Sequence, residues 1–431
     1  MNDEQQSFVI KVTRYGLPVV VGIFYLTASL GFSFTSDSTF QMVNAGRITG
    51  STGMFPSPLW QFILTISGAL GLDQLLASKV LSLVFSCAAI LVGYLVGNEI
   101  LGDRLMAFCV SLVFGMEGWM LQLAPSGSAV TLAILLALSG LFFMLRNEYV
   151  VAPFIFGLCT LVVWQAVLLL LPLCVDIWMN SVDKRRAVKV ALSACLVYCS
   201  SLLPLVLYEW SSGRWDIPIL LRAGELPDFS LAAMAVLGLL CLLGVAGFGL
   251  TLRSSEVRKD VLRTNGGVIA FMIVLILMAS AYQIQVWVAV LPLIIVYAYF
   301  GLAELLRWIG KSRLVYSLSF VLTGLLVVHL QLEYQRTNRP SMIEAVAQNT
   351  ELRILSEWVR ENSSDTSQVC AEHPGIVGYY AERQVVRSRD HGEPACDLIV
   401  TSRANVSGYE VAFKPPPLPD DARYFAVWRR K

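Results

Sequence analysis

The chain has 431 residues, of which 56% are hydrophobic and only 15% are charged, and its formal net charge is +1. That composition excludes an ordinary soluble globular protein and describes a polytopic membrane protein. No nucleic-acid partner is expected of it.

A helix needs about 20 mostly apolar residues to cross the hydrocarbon, because backbone amides left unpaired in lipid are costly. In chain order, such windows run over residues 15–35, 78–98, 106–122, 129–145, 187–208, 229–250, 265–282, 286–306 and 314–332. The first reads as a retained anchor and not a cleaved signal peptide, since its apolar run is long and no A-x-A site follows. It stops at Asp37, which opens a first outer loop over residues 36–77. Within that loop PSPLWQFILTISGAL, residues 56–70, has the length of an interfacial helix. The apolar run from Val150 to Met179 reads as two short helices, with the turn at Trp164 and Gln165. This parity keeps Arg146 on the same side as Lys184, Arg185 and Arg186, as the bias of basic residues toward the cytoplasm requires.

The same bias collects Lys11, Arg14, Arg104, Arg146, Lys184, Arg185, Arg186, Lys189, Arg253, Arg258, Lys259, Arg263, Arg307, Lys311 and Arg313 on one side. The outer loops before the tail hold Arg47, Lys79, Arg214 and Arg222. The expected fold is an all-α membrane bundle of about eleven crossings, with the amino terminus cytoplasmic. The bundle domain covers residues 1–332, and residues 333–431 form a small extracytoplasmic α/β domain. There Ser341 and Glu344 have capping-box spacing at the head of a helix with apolar residues at Ile343, Val346, Ile354 and Trp358. Short strands are expected at QVCA, QVVR, CDLIVT and RYFAVW. Cys370 and Cys396 are the only cysteines of the tail and read either as a disulfide or as two buried thiols.

No metal site is expected among the side chains, because the three histidines stand apart from other ligands and no C-x-x-C occurs. No P-loop, G-x-G-x-x-G or G-x-S-x-G is found either. The polar residues of the outer face carry whatever chemistry there is. Asp37 reads as a helix cap with Ser36 and Ser38, or as a carboxylate that accepts a proton from a hydroxyl nucleophile. Glu117 sits near the outer end of a span, where an ionisable group is costly; it reads as hydrogen-bonded to a neighbouring helix or as functional. Arg47, Arg214 and Arg222 suit headgroup contact or the phosphate of a lipid carrier, since guanidinium forks match phosphate oxygens. Gln122, Ser126, Ser128, Gln165, Asp216, Gln283 and Gln285 complete the same vestibule.

The segment SDSTFQMVNAGRITGSTGMFPSPLWQFILTISGALGLD resembles the first outer loop of the GT-C membrane glycosyltransferases, which use polyprenyl-phosphate sugars and include arabinofuranosyltransferase-like and protein mannosyltransferase-like enzymes. Asp37, Arg47, Gly50, Gly53, Pro58, Leu59 and Trp60 carry the match. In the tail, HPGIVGYYAERQVV resembles the strand-turn-strand that follows such bundles, through Gly375, Gly378, Tyr379, Tyr380 and Arg383. The chain departs from the family pattern in three places. Ser38 replaces the second acid of the opening pair, Ala129 stands at the acidic position of the next outer loop, and Val163, Trp164 and Gln165 replace R-P-E.

The resemblance implies an inverting transfer of a monosaccharide from a polyprenyl-phosphate donor to a glycan, lipid or protein acceptor. It gives Asp37 as base, Glu117 as a candidate second carboxylate, Arg47, Arg214 and Arg222 as phosphate clamps, and Trp60 and Gln165 as substrate-binding residues. No cofactor is implied with certainty, and a divalent metal is left open. The expected location is the bacterial inner membrane, in contact with membrane lipid. The missing acids keep a non-catalytic assembly partner as an alternative, and a transporter or scramblase of lipid-linked sugars is a second. The absence of an internal repeat and of midplane charges weighs against the latter.

Overall fold

The computed structural model describes residues 57–181, 183–212, 236, 238–246, 255–281, 288–311, 314–364, 367–388, 396–402, 406–415 and 425–430. The first span, Asp37, Arg47, Arg214, Arg222, Asp216, Gln283 and Gln285 lie outside them.

The described bundle is helical throughout. Its helices are α1 Pro58–Ala69, α2 Gln74–Leu101, α3 Arg104–Gly115, α4 Gly118–Leu123, α5 Val130–Leu145, α6 Val151–Thr160, α7 Leu170–Asn180, α8 Lys184–Ser212, α9 Ser255–Ala281, α10 Leu291–Trp308 and α11 Val315–Glu333. Among the described residues, four helices are long and apolar enough to cross a membrane: Gln74–Leu101, Lys184–Leu203, Leu291–Trp308 and Val315–Arg336. The other apolar stretches, Arg104–Gly115, Val130–Leu145, Val151–Thr160, Trp164–Asn180 and Asn265–Met278, are shorter, in part because polar caps interrupt the windows read from the sequence. The window over 106–122 is an example: α3 ends at Gly115 and Glu117 begins the separate helix α4. Likewise the run from Val150 breaks after Thr160, one turn before Trp164, and resumes as a 3-10 turn over Trp164–Leu169 that leads into α7.

Small residues let the helices approach closely, as in membrane bundles generally. Gly157 of α6 faces Ser201 of α8, so an added Cβ would lie 2.9 Å from the Ser201 Cβ and 3.1 Å from the Tyr198 carbonyl. Gly97 of α2 meets the Ala107 backbone of α3 in the same way, at 3.5 Å. Thr160 and Tyr198 share a hydrogen bond of 2.6 Å beside the Gly157 contact, which satisfies both buried hydroxyls.

Alternating helix directions give the bundle two distinct ends. The lower end holds the α2–α3 turn, the end of α5 and the starts of α8 and α11. There Arg146 pairs with Glu99 at 3.2 Å, and Tyr316 donates to Asp103 Oδ2 at 2.7 Å. The upper end holds α1, the start of α2, α4, the break before α7, and the tail. Leu75 of α2 packs on the apolar core of the tail, and Tyr379 of the tail touches both that core and the core of the bundle.

The bundle runs into the tail without leaving helical conformation. After α11 comes a π turn, Tyr334–Asn338, and then α12, Arg339–Asn362. The capping box expected at Ser341 is therefore not a helix start, since Ser341 is the third residue of α12.

The tail sheet comprises β1 Val369–Ala371, β2 Val385–Arg387, β3 Leu398–Thr401, β4 Tyr409–Phe413 and β5 Ala426–Arg430. Its order is β2-β1-β3-β5-β4, with β1 parallel to β2 and β3, and β5 antiparallel to β3 and β4. Leu352, Leu355 and Val359 of α12 cover one face, packing with Val369, Ala371, Leu398, Val400 and Val427. This buried stripe is offset from the one read in the sequence, because Ile343 is 52% exposed. Trp358 stacks on Phe413, with ring centroids 5.4 Å apart. On the opposite face Cys370 and Cys396 form a disulfide, with Cα atoms 6.0 Å apart, beside Ile399, Ala426 and Trp428.

The segment HPGIVGYYAERQVV is a helix followed by a strand, not strand-turn-strand. Pro374 starts α13, Pro374–Ala381, at the position where its missing N–H costs nothing. Ile376 and Val377 are buried, and Glu382 closes the helix at φ +54°. Arg383 then donates to Ser363 Oγ at 2.7 Å and to the Ser364 carbonyl at 2.9 Å, which fastens the turn to the end of α12.

Candidate functional site

Three sequence-predicted site residues lie among those described: Trp60, Glu117 and Gln165. All are buried and all belong to the upper end of the bundle. They are held there by polar contacts between elements far apart in sequence.

Helix α1 is anchored to the break that precedes α7. Ser57 Oγ donates to the Val162 carbonyl at 2.7 Å, and the Leu59 N–H donates to the Leu161 carbonyl at 3.1 Å. These two carbonyls lie just past the end of α6 at Thr160, where no further helical turn supplies donors. The break thus presents acceptors that α1 supplies with donors, and this explains why a polar Ser57 precedes an apolar helix. Trp60, one turn on, is fully buried and meets Phe85 of α2 edge to face, with centroids 6.0 Å apart. Gln165 lies in the 3-10 turn three residues beyond Val162.

Glu117 is the N-cap of α4. Its φ and ψ of −68° and 137° are extended, and its Oε2 accepts from the Met120 N–H at 2.9 Å. Gln331, near the end of α11, donates to the Met116 carbonyl at 3.1 Å and closes the kink from the tail side. Behind Glu117 the segment from α4 to α5 is pinned by hydroxyls. Ser82 of α2 and Ser126 both donate to the Leu123 carbonyl, at 2.9 and 2.8 Å, and Thr131 donates to the Ser128 carbonyl at 2.9 Å. Ala129, at the position where the family pattern has an acid, is the N-cap of α5 with no side-chain bond; Ser128 Oγ accepts from the Val130 N–H instead, at 3.2 Å.

Ser82 and Phe85 are one turn apart on α2, so this helix brings the Glu117 segment and the Trp60 segment to the same end of the bundle. The sequence predicted that gathering for Gln122, Ser126 and Ser128 as well. Ser126 and Ser128 bond backbone groups of their own loop, however, and read as framework.

One feature was not anticipated from the sequence. Trp60 Nε1, Gln61 Oε1, Trp164 Nε1 and Gln165 Oε1 are buried atoms with no hydrogen-bond partner. A buried polar atom left unpaired costs on the order of 1–3 kcal/mol, so these four atoms are open to donors and acceptors from outside the described residues. The signal was present as the repeated Trp-Gln pairs, Trp60-Gln61 and Trp164-Gln165, which sequence reading treated separately. Among the described residues, no group of three or more His, Cys, Asp or Glu gathers to hold a metal.

No protein-family model matches the chain, and no curated protein matches it in sequence. Solved structures do match it. ArnT from Cupriavidus metallidurans bound to undecaprenyl phosphate superposes with a TM-score of 0.58 at 12% identity, covering 97% of both chains. The same protein in the apo state gives a TM-score of 0.59 at 13% identity over 99% of this chain and 98% of that one. The Archaeoglobus fulgidus oligosaccharyltransferase in complex with zinc and sulfate gives 0.56 at 11% identity, over 86% of this chain and 62% of that one. With helical bundle and tail superposing together, the chain has the GT-C fold.

Proposed function

We propose that the protein is a membrane glycosyltransferase that moves a monosaccharide from a polyprenyl-phosphate donor to an envelope glycan, lipid or protein acceptor on the outer face. The observation that carries this reading is the superposition of nearly the whole chain, tail included, on a structure that holds undecaprenyl phosphate. The position of Trp60, Glu117 and Gln165 at the same end of the bundle supports it, since the donor's sugar and phosphate must meet a polar site at one membrane surface.

In this reading the acceptor hydroxyl attacks the anomeric carbon from the face opposite the phosphate. The new carbon–oxygen bond forms as the bond to the phosphate oxygen breaks, and the hydroxyl proton passes to Asp37. The polyprenyl phosphate leaves with added negative charge, which Arg47, Arg214 and Arg222 offset. Glu117 is the second carboxylate, placed by the kink between α3 and α4. The unpaired indole N–H groups and amide oxygens around Trp60 and Gln165 offer donors and acceptors that suit sugar hydroxyls. A divalent metal, where one binds, would assist by drawing charge from the leaving phosphate.

The neutral Gln165 and the backbone-capping Glu117 favour a second reading, a GT-C relative that has lost catalysis and serves as an assembly partner. The bacterial inner membrane, eleven crossings and an extracytoplasmic tail belong to the proposal as well. Envelope glycans from a strain lacking the gene, complemented with wild type or Asp37→Asn, distinguish the readings by mass spectrometry. The transferase reading expects one sugar to be lost, then restored by wild type and not by Asp37→Asn. Restoration by both variants would remove Asp37 from the chemistry and favour the partner role.

A further inference from the structure

A groove of about 220 Å³ runs between α7 and α8 at the lower end of the bundle, on the side away from the candidate site. Its depth comes from a stripe of small residues on α8, Ala187, Ala191 and Cys195, spaced at four residues on one helix face. Cys174 and Ile177 of α7 line it from the other side, and Trp178, Val188 and Leu192 form exposed walls. Its lining is apolar throughout.

The mouth of the groove is charged. Lys184, Arg185 and Arg186 occupy the first turn of α8 and are exposed, with Lys189 one turn further. Lys184 Nζ sits 4.5 Å from the ring centroid of Trp178, a wall residue, and donates to the Trp178 carbonyl at 2.8 Å. Three cations in the first turn oppose the partial positive charge of a helix amino terminus, and no acid lies in that turn. The preceding Asp183 accepts from the Arg185 N–H at 2.9 Å, so its carboxylate serves as the cap, and neither Arg185 nor Arg186 forms an ion pair with a described residue. Asp176, the other acid of the hairpin, is buried and accepts from Tyr149 Oη at 2.9 Å.

We propose that this hairpin binds an anionic phospholipid of the leaflet it faces, with one acyl chain in the groove and the phosphate at Lys184, Arg185 and Arg186. The occupant follows from the juxtaposition of an apolar groove with a cluster of exposed cations, of which Arg185 and Arg186 form no ion pair with a described residue. A zwitterionic lipid would fill the slot and leave the cations uncompensated. The site is separate from the candidate active site and does not depend on which sugar is transferred.

Native mass spectrometry of the full chain tests this after reconstitution into vesicles of equal parts phosphatidylglycerol and phosphatidylcholine and gentle extraction. Wild type is expected to retain phosphatidylglycerol in preference. Basic residues at a membrane surface each attract anionic lipid, so Arg185→Gln with Arg186→Gln should lower that preference about 10-fold or more. Ala191→Leu fills the slot without touching a charge and should reduce retention of the lipid itself. Arg146→Gln, a cation at the same end paired with Glu99, should leave retention unchanged. Equal retention of both lipids by wild type would overturn the proposal, as would wild-type behaviour of both the charge and the slot variants. A dimer that Ala191→Leu abolishes would assign the groove to a second copy of the chain and likewise overturn it.

Discussion

Glu117 joins a helix cap to a carboxylate, and substitution separates the two. Gln at this position keeps an oxygen that accepts the Met120 N–H and removes the negative charge; Ala removes both. Glu117→Ala should therefore lose about 1 kcal/mol of stability as an ordinary N-cap truncation does. Glu117→Gln should retain the wild-type melting temperature and, if the carboxylate takes part in proton movement, transfer sugar about 10²-fold more slowly. Melting in detergent paired with transfer from a polyprenyl-phosphate sugar gives both numbers, and a fully active Glu117→Gln would reduce the residue to a cap. The sequence singled out Glu117 because a buried acid in an apolar window is costly. It gave no sign of the cap, since Gly118 to Leu123 looks like the continuation of one long helix.

The tail helix α12 carries another buried acid, Glu351. Glu351 Oε1 accepts from the Phe425 N–H at 2.6 Å, but Oε2 is buried without a partner. Burial raises its pKa above the ordinary 4.5, and the Phe425 bond only partly offsets this. The folded tail thus binds the proton more tightly than the unfolded chain. Its stabilising contribution is full below the unfolded value of 4.5 and is lost as pH rises through the raised folded value. Glu351→Gln preserves the acceptor for Phe425 and cannot ionise, so its advantage over wild type should be absent at low pH and grow toward neutrality. Hydrogen exchange of β5 amides in the full chain, taken as the ratio of variant to wild type at each pH, removes the intrinsic pH dependence of exchange. A ratio that stays constant from acid to neutral pH would mean that Glu351 ionises freely in the fold. The β5 strand is a suitable reporter because Phe425 leads directly into it.

Four of the five strands of the small sheet were legible as short β-branched or aromatic runs. The fifth, Tyr409–Phe413, sits at the sheet edge with no fully buried residue, so it carries no alternation to read. The join at Ser341 was misread because capping-box spacing occurs equally well inside a helix, and only the preceding π turn decides which it is. Of the candidate site, single residues were legible and their partners were not. The Ser57 to Val162 bond spans 105 residues, and no local pattern announces it. Orientation is the property that ties these parts together. The lower end carries Arg104, Arg146, Lys184, Arg185, Arg186, Arg307 and Lys311, and the proposed topology turns this concentration toward the cytoplasm. The disulfide between Cys370 and Cys396 independently suits an oxidising compartment for the tail. Two exposed positions then separate the compartments, Lys311 at the lower end and Glu410 on β4. In a background with Cys199 and Cys241 replaced by Ala, a membrane-impermeant maleimide applied to intact cells should label Glu410→Cys and spare Lys311→Cys until the membrane is opened. The reverse pattern would place the tail, and with it Trp60, Glu117 and Gln165, on the cytoplasmic side, where an acceptor of the outer envelope could not reach them.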